Sequence, residues 1–231
     1  MKVTYIFHSS FLVETEKHYL LFDYFKGDIP KMDPEKQLVV FVSHRHEDHF
    51  SPEIFKLSED YPKTEYVISD DIWEKRVPQE LFSKIQFIGP GEELEAAGLK
   101  VKAYKSTDEG VAFLIREGET CIYHAGDLNN WTWIGEDEGW NKQMAIHYHE
   151  ELDKMAGTKI DLAFVPLDPR LAQMFYLGVD DFMKKVGAKK VFPMHFWEDY
   201  TVMNQLKELP CAQEYKDRIT VIREQGECFE I

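Results

Sequence analysis

Residues 37–43, QLVVFVS, form a continuous apolar run that leads directly into the polar segment SHRHEDHF, residues 43–50. An uninterrupted apolar run of this length is typical of a strand covered on both faces. Ser51 and Pro52 have the character of a helix N-cap and first-turn proline, and they predict a helix from about 52 to 60. The polar segment is therefore predicted to be a loop at the carboxyl end of a buried strand, where α/β proteins commonly place their chemistry.

The rest of the chain repeats one plan twice, strands followed by helices. Three short strands open it as an antiparallel meander, and tight turns join three more strands between residues 99 and 124. A second fully buried strand, IDLAFVPLD, follows a helix predicted over 140–156. Further expected elements are a short helix from Asp71, helices near 179–186 and 200–208, and strands at KKVFPMH and RITVIRE. This order predicts one α/β domain over residues 1–231, a four-layer αββα sandwich with two facing sheets and helices outside.

The composition restricts the classes of partner and the cell compartment to be expected. The formal charge of −15 disfavours nucleic acid and anionic membranes as partners, because the long-range field repels them. No apolar stretch approaches the ~18 residues of a membrane span, and the N-terminus does not have the pattern of a leader. The three scattered cysteines, Cys121, Cys211 and Cys228, indicate neither a disulfide framework nor a cysteine zinc site. We therefore expect a reduced, cytoplasmic protein.

Four potential metal ligands lie within six residues of the polar loop: His44, His46, Asp48 and His49. Imidazole and carboxylate groups suit zinc and other borderline divalent metals. Two histidines two apart on an irregular segment can point the same way, whereas on a helix they would diverge. Asp48 and His49 are adjacent and would address a second metal or a metal-bound water. A solvated polar loop is the alternative, but three histidines and an aspartate directly behind a core strand count against it.

The pattern His-x-His-x-Asp-His behind an apolar strand resembles the motif of the metallo-β-lactamase superfamily, whose fold is the same αββα sandwich. IFHSSFLVET is similar to the opening of the lactonase-like and phospholipase D-like branches, with Phe7 where they have glycine. CIYHAGDLN resembles the strand-Gly-Asp motif, which implies that Asp127 is a bridging carboxylate. KKVFPMHFW resembles the last motif, which implies that His195 is the final histidine ligand.

The resemblance implies two metal ions, zinc or alternatively manganese or iron, held by His44 and His46 in the first site, by Asp48, His49 and His195 in the second, and by Asp127 between them. The sequence departs from the family in YKSTDEGVAFLI, which lacks the histidine expected to complete the first site. Asp108 is a candidate substitute ligand. Three outcomes stay open: two metals with a carboxylate substitute, one metal in the second site alone, or a vestigial site.

Other residues are candidates for contacts around the metals or the substrate. By the resemblance His8 lies near the metal loop, either as a donor to a ligand or as a core histidine. Trp131 and Trp133 either wall a pocket or fill a hydrophobic gap. Arg170 either clamps an anionic group of the substrate, or belongs to a turn from Asp168 to Arg170, or forms an ordinary surface ion pair.

The resemblance implies a metal-dependent hydrolase of a small ester, lactone or phosphodiester, in which Asp48 orients or deprotonates the nucleophile. The alternative is a non-catalytic or vestigial metal-binding protein of the same fold. His147 and His149 lie on different sides of their predicted helix, so we expect them to face solvent rather than share a ligand. The substrate, the native metal and the oligomeric state stay open at this level.

Overall fold

The computed structural model describes residues 1–231, and its strands form two sheets. The first sheet contains β1 (Lys2–Phe7), β2 (Ser10–Glu14), β3 (His18–Phe22), β4 (Gln37–Val42), β5 (Thr64–Ser69), β6 (Ile85–Ile88) and β13 (Cys228–Glu230). The second sheet contains β7 (Glu93–Ala96), β8 (Leu99–Lys105), β9 (Val111–Glu117), β10 (Thr120–His124), β11 (Leu162–Pro166) and β12 (Lys190–Met194). Their spatial orders are β13-β1-β2-β3-β4-β5-β6 and β12-β11-β10-β9-β8-β7.

Each sheet joins an antiparallel half to a parallel half. Strands β1, β2 and β3 form the predicted antiparallel meander, and β3 to β6 run parallel. In the second sheet β7 to β10 are antiparallel, whereas β10, β11 and β12 are parallel. Buried parallel strands explain the continuous apolar runs of β4 and β11, because both of their faces are covered.

Aromatic side chains pack the two sheets against each other. His124 of β10 stacks on Phe22 of β3 at 4.8 Å between ring centroids, and Phe41 of β4 meets Phe113 of β9 at 5.4 Å. Tyr123, which precedes His124, points to the opposite face of its sheet, where helices pack. The four-layer αββα order predicted from the sequence is confirmed.

Four α-helices cover the outer faces: α1 (Leu57–Asp60), α2 (Glu138–Met155), α3 (Leu177–Lys185) and α4 (Val202–Glu208). Phe182 of α3 stacks on Tyr123 at 5.3 Å. The helical segment predicted after the polar loop begins at Pro52, and Ser51 caps it by accepting from the N–H of Glu53, but its first turn is a 3₁₀ helix, Pro52–Lys56. None of the helices combines the length and apolar character needed to cross a bilayer.

Two predicted elements are wrong. The first helical residues after Asp71 are the single 3₁₀ turn Glu74–Arg76. RITVIRE contributes one isolated bridge, between Ile219 and Val191 of β12, rather than a strand. Val191 and Pro193 present their backbones to the same side of β12, and Pro193 has no N–H with which to continue that ladder.

Candidate metal centre

The six residues predicted as metal ligands converge at one end of the sandwich, where the parallel strands of both sheets end. His44, His46, Asp48 and His49 lie on the loop after β4, Asp127 follows β10, and His195 follows β12. His44 and His49 are completely buried, and Asp127 and His195 are nearly so. Residues that lie up to 151 positions apart in the chain, His44 and His195, therefore meet in space.

The converging side chains form two groups of four donors, and within each group one donor atom per residue lies within 4.8 Å of the others. The first group is His44, His46, Asp108 and Asp127, and the second is His8, Asp48, His49 and His195. Asp108, the candidate substitute ligand, belongs to the first group. It lies in the segment YKSTDEGVAFLI, which lacks the additional histidine of the family. His8, expected as a donor to a ligand or as a core histidine, lies among the donors themselves.

Distances in the second group suit a shared cation. Asp127 Oδ1 lies 3.2 Å from His49 Nε2 and 3.6 Å from His195 Nε2. Asp48 Oδ2 lies 3.8 Å from His195 Nε2 and 4.0 Å from His49 Nε2. Ligand atoms about 2.0–2.1 Å from a tetrahedral zinc ion stand about 3.3 Å apart, so these donors are already close to that spacing.

The first group has similar spacing. His44 Nε2 lies 3.1 Å from His46 Nδ1 and 3.6 Å from Asp127 Oδ2. His46 Nδ1 lies 3.6 Å from Asp108 Oδ2. The two oxygens of Asp127 therefore face different groups, as a bridging carboxylate requires.

Several donor atoms are buried without a hydrogen-bond partner: His49 Nε2, Asp127 Oδ1 and both ring nitrogens of His8. A buried polar atom without a partner is costly, and native structures contain few of them. A divalent cation between these residues would satisfy His49 Nε2, Asp127 Oδ1 and one of the two ring nitrogens of His8. The residues therefore fit the metal ions implied by the sequence resemblance.

Asp23, directly after β3, fixes the orientation of two of the imidazoles. It is completely buried, accepts from the N–H and hydroxyl of Ser43 at 2.7 and 2.6 Å, and lies 2.8 Å from His49 Nδ1. Since the Ser43 hydroxyl donates to Asp23, its oxygen accepts from His44 Nδ1 at 3.0 Å. This network assigns the protons to Nδ1 of both histidines and turns the Nε2 atoms toward the donor groups.

The two remaining imidazoles have carboxylate partners as well. His195 Nδ1 lies 2.9 Å from Asp168, which also binds Arg170 through two guanidinium nitrogens. His46 Nε2 lies 3.2 Å from Glu109. Carboxylate contacts of this kind are the usual support of metal-binding histidines.

The backbone is strained where it delivers three of these side chains. His8, Asp23 and His195 have φ angles of 56°, 41° and 63°. The left-handed region costs a non-glycine residue roughly 1–2 kcal/mol, and such conformations concentrate at functional sites. Gly110 adopts φ +66° against the metal loop, where a Cβ atom would collide with the carbonyl of Ser43.

Burial and charge set the protonation of the cluster. Burial lowers the pKa of His8 to about 4 and, reinforced by the charge of His49, lowers that of His44 to about 3, so both are neutral at pH 7. Burial opposes ionisation of His49 and Asp127, yet their mutual attraction raises the pKa of His49 and lowers that of Asp127. A cation bound here would take the place of the His49 proton.

A cavity of about 340 Å³ opens over the donors, and Asp48, Asp108, Asp127 and His195 line it together with Arg170 and aromatic side chains. Trp131 is buried and donates from Nε1 to the backbone oxygen of Asp127 at 2.9 Å. Trp133 stacks beside it with ring centroids 6.3 Å apart, and Trp140 completes the wall. Trp131 is therefore both buried and part of the cavity lining, and Trp133 lines the cavity beside it.

The other histidines point elsewhere. His124 accepts from the N–H of Gly126 at 3.2 Å and contacts the backbone oxygen of Ser9 at 3.0 Å. His147 and His149 lie on α2 and belong to neither donor group. His147 contacts the side chain of Gln143, and His149 contacts that of Asp181. The three cysteines are unpaired.

Sequence reasoning missed Asp23 and Glu109 and placed Asp168 only in a turn or an ion pair. The available signal was an aspartate directly after a buried strand, in LLFD for Asp23 and VPLD for Asp168. That signal alone does not distinguish a carboxylate that supports a ligand from a solvated one.

Comparison with known proteins gives consistent matches. Residues 2–134 match the family model described as the beta-lactamase superfamily domain. A protein of Nanoarchaeum equitans (strain Kin4-M), named as a metal-dependent hydrolase, is 27% identical over 210 residues, covering 85% of this chain and 84% of that protein.

Solved structures match the fold along its whole length. Igni18, described as a novel metallo hydrolase from Ignicoccus hospitalis, superposes with a TM-score of 0.70 at 18% identity and covers 100% of this chain and 98% of that one. The metallo-β-lactamase fold protein YhfI of Bacillus subtilis gives a TM-score of 0.66 at 16% identity, covering 99% and 98%. At these identities the likeness shows the fold alone.

Proposed function

We propose that this chain, which belongs to the metallo-β-lactamase superfamily, is a metal-dependent hydrolase of a small ester, lactone or phosphodiester. The observation that carries the proposal is a pair of donor groups beside an open cavity, with Asp127 between them: its Oδ2 lies 3.6 Å from His44 Nε2 and its Oδ1 lies 3.2 Å from His49 Nε2. The relative from Nanoarchaeum equitans, named as a metal-dependent hydrolase, supports it. The choice among ester, lactone and phosphodiester rests on the resemblance of the N-terminal motif to the lactonase-like and phospholipase D-like branches.

Two ions are expected, the first at His44, His46 and Asp108, the second at Asp48, His49 and His195, with Asp127 between them. Bound divalent ions at such a site supply Lewis acidity and lower the pKa of a coordinated water toward ~7. The mixture of imidazole and carboxylate donors suits zinc, with manganese and iron as alternatives.

Asp48 is the residue proposed to act on the water nucleophile. Burial alone would raise its pKa, but the contact with His8 and the charge of His49 lower it, so the group is a carboxylate at neutral pH. It lines the cavity and its side chain is 28% exposed, so one oxygen can accept a hydrogen bond from water there. A carboxylate with so low a pKa orients water well and is a weak base, so orientation is its expected part.

Arg170 and the tryptophans are proposed to position the substrate. The Arg170 guanidinium is held by Asp168, lies 4.8 Å from the Trp197 ring centroid, and is 47% exposed beside the cavity. It is therefore preorganised to bind a carboxylate, a phosphate or a developing negative charge. Trp133, whose ring centroid lies 5.8 Å from Arg170 Cζ, and Trp140 offer an apolar wall to the same cavity.

A vestigial site would be expected to lack donors, and here Asp108 supplies the oxygen that the missing histidine leaves open. The carboxylates Asp23, Asp168 and Glu109, each of which contacts a ring nitrogen of a donor histidine, also support a working site.

The test is the metal content and activity of protein purified without chelator. Elemental analysis should find two equivalents of metal per chain, and Asp127→Ala should lose both because it removes the shared ligand. A panel of esters, lactones and phosphodiesters should then show hydrolysis that Asp127→Ala lacks. His147→Ala, on an exposed histidine outside the site, is the control and should retain metal and activity. Folded wild-type protein that binds no metal would overturn the proposal.

A further inference from the structure

His8 is the histidine in the cluster whose ring nitrogens make no hydrogen bond, although Nε2 lies 3.5 Å from Asp48 Oδ2. It lies in the tight turn between β1 and β2, its side chain is completely buried, and neither Nδ1 nor Nε2 makes a hydrogen bond. The four histidines His44, His46, His49 and His195 each have a hydroxyl or carboxylate beside one nitrogen. Burying two unsatisfied nitrogens is unfavourable, so the position calls for a partner that the chain does not supply.

The turn holds His8 so that it cannot turn away from the cluster. Its N–H donates to the hydroxyl of Tyr5 at 2.9 Å, and its carbonyl accepts from the N–H of His195 at 3.4 Å. Its ring packs between His195 and Trp197, with centroids 4.1 and 4.3 Å away. The φ angle of 56° adds a backbone cost to this placement.

We propose that His8 is a direct ligand of the ion at Asp48, His49 and His195, and that it makes this the tighter of the two metal sites. Nε2 lies 3.5 Å from Asp48 Oδ2 and within 4.8 Å of the donor atoms of His49 and His195. The second site then has five protein donors, counting Asp127. The first has four, of which His46 and Asp108 are more than 40% exposed. This inference rests on the proposed function, since it needs metal to bind.

The competing role for His8 is a hydrogen bond to Asp48 that orients the carboxylate. The 3.5 Å separation is long for a hydrogen bond to a carboxylate, whereas it matches two ligands of one cation. The two roles differ in what happens when the nitrogens are removed and the ring is kept.

His8→Phe makes that change, because phenylalanine fills the same aromatic site without nitrogens. In metal-free protein the variant should melt about 2–4 °C higher than wild type, because two unsatisfied buried nitrogens are gone. Titration with Zn²⁺ should show the tighter site weakened about 100-fold or more, since even partners outside the ligand shell change affinity about 10- to 100-fold. With Co²⁺, the visible absorption of the tighter site should change in intensity, since it follows coordination number.

His18→Phe is the matched control. His18 is also buried, but its nitrogens are paired with Glu117 and with the backbone oxygen of Ala97. This variant should melt lower than wild type without metal and should bind Zn²⁺ with unchanged affinity.

The outcomes separate the inference from the function on which it rests. If wild type binds two ions and His8→Phe binds both with wild-type affinity, His8 is no ligand and the proposed function is untouched. Weaker binding with an unchanged Co²⁺ spectrum would assign His8 to orientation of Asp48 and would equally overturn the inference. If wild type binds no ion, the proposed function itself fails.

Discussion

Asp23→Asn is expected to weaken both metal sites although Asp23 belongs to neither. The change keeps the shape of the side chain and replaces one oxygen by an NH₂ donor. Asp23 Oδ2 now receives two donors, the Ser43 hydroxyl and His49 Nδ1. An amide nitrogen at that position would face His49 Nδ1 with a proton, so His49 is driven to carry its proton on Nε2, which points at the cluster. The Ser43 hydroxyl would reorient as well and would no longer hold the proton on His44 Nδ1.

The magnitude follows from the number of ligands that depend on this carboxylate. Losing one partner outside the ligand shell lowers metal affinity about 10- to 100-fold, or about 1.4–2.7 kcal/mol. Asp23 supports His49 directly and His44 through Ser43, so one such loss is expected at each ion. The two together amount to about 3–5 kcal/mol of binding free energy.

Affinity is measured by competition with a metal-binding dye, and thermal melting of the metal-free variant checks that it folds. Asp28→Asn removes the same charge from an exposed position and should bind both ions as wild type does. If folded Asp23→Asn retains both affinities within about threefold, the tautomer argument from the hydrogen-bond network is wrong.

Three further changes test other parts of the site. Asp108→His restores the missing imidazole at an exposed position beside His46, and it should strengthen binding of the first ion about tenfold, as followed by the same dye competition. Gly110→Ala places a Cβ atom against the carbonyl of Ser43 and 2.6 Å from His44 Cβ, so it should lower the free energy of unfolding by about 2–4 kcal/mol in urea denaturation. Metal-free protein should lose stability as the pH falls from about 6.5 toward 4. Burial lowers the pKa of His8 to about 4 and of His44 to about 3, so in this pH range the unfolded chain binds protons that the folded chain does not. Each histidine should therefore lower the free energy of unfolding by up to about 1.4 kcal/mol per pH unit.

Each of these has its own contradicting result. Gly91 has φ +85° with no atom within 4 Å of a built Cβ, so Gly91→Ala carries the backbone strain of Gly110→Ala without the collision. Equal losses in the two variants would refute the steric argument. Unchanged binding of the first ion by Asp108→His would show that residue 108 does not face it. Urea midpoints of metal-free protein that rise as the pH falls from 6.5 to 4 would contradict the lowered pKa assigned to His8 and His44.

The sheets were largely predictable because apolar runs record which strands are covered. The runs at β4 and β11 predicted strands buried on both faces, and the structure has them so. β7, with the sequence ELEA, was not predicted, because it is an edge strand with little apolar character. RITVIRE is the opposite case: it was predicted as a strand and is not one. Its pattern suits a strand, but Pro193 in the neighbouring strand ends the ladder after one bridge.

The site was predictable only as far as the motifs reached. The donors in the loop after β4 were predicted from their spacing behind a buried strand, and Asp127 and His195 were predicted because their motifs resemble those of the family. Asp23 and Asp168 act through contacts made by residues far away in the chain, which no local spacing encodes. His8 and His124 both lie near strand ends, and the strained turn that directs His8 into the cluster is visible only in three dimensions.

The donors of each group come from both sheets: the loop after β4 belongs to the first, and Asp127 and His195 extend from the second. An ion held this way ties the two halves of the sandwich together at one end, so the layers cannot part until it leaves. Persistence of the native state under denaturant would then depend on how slowly the ion is released. Metal-loaded protein should therefore unfold in denaturant no faster than it releases the ion, and metal-free protein should unfold faster.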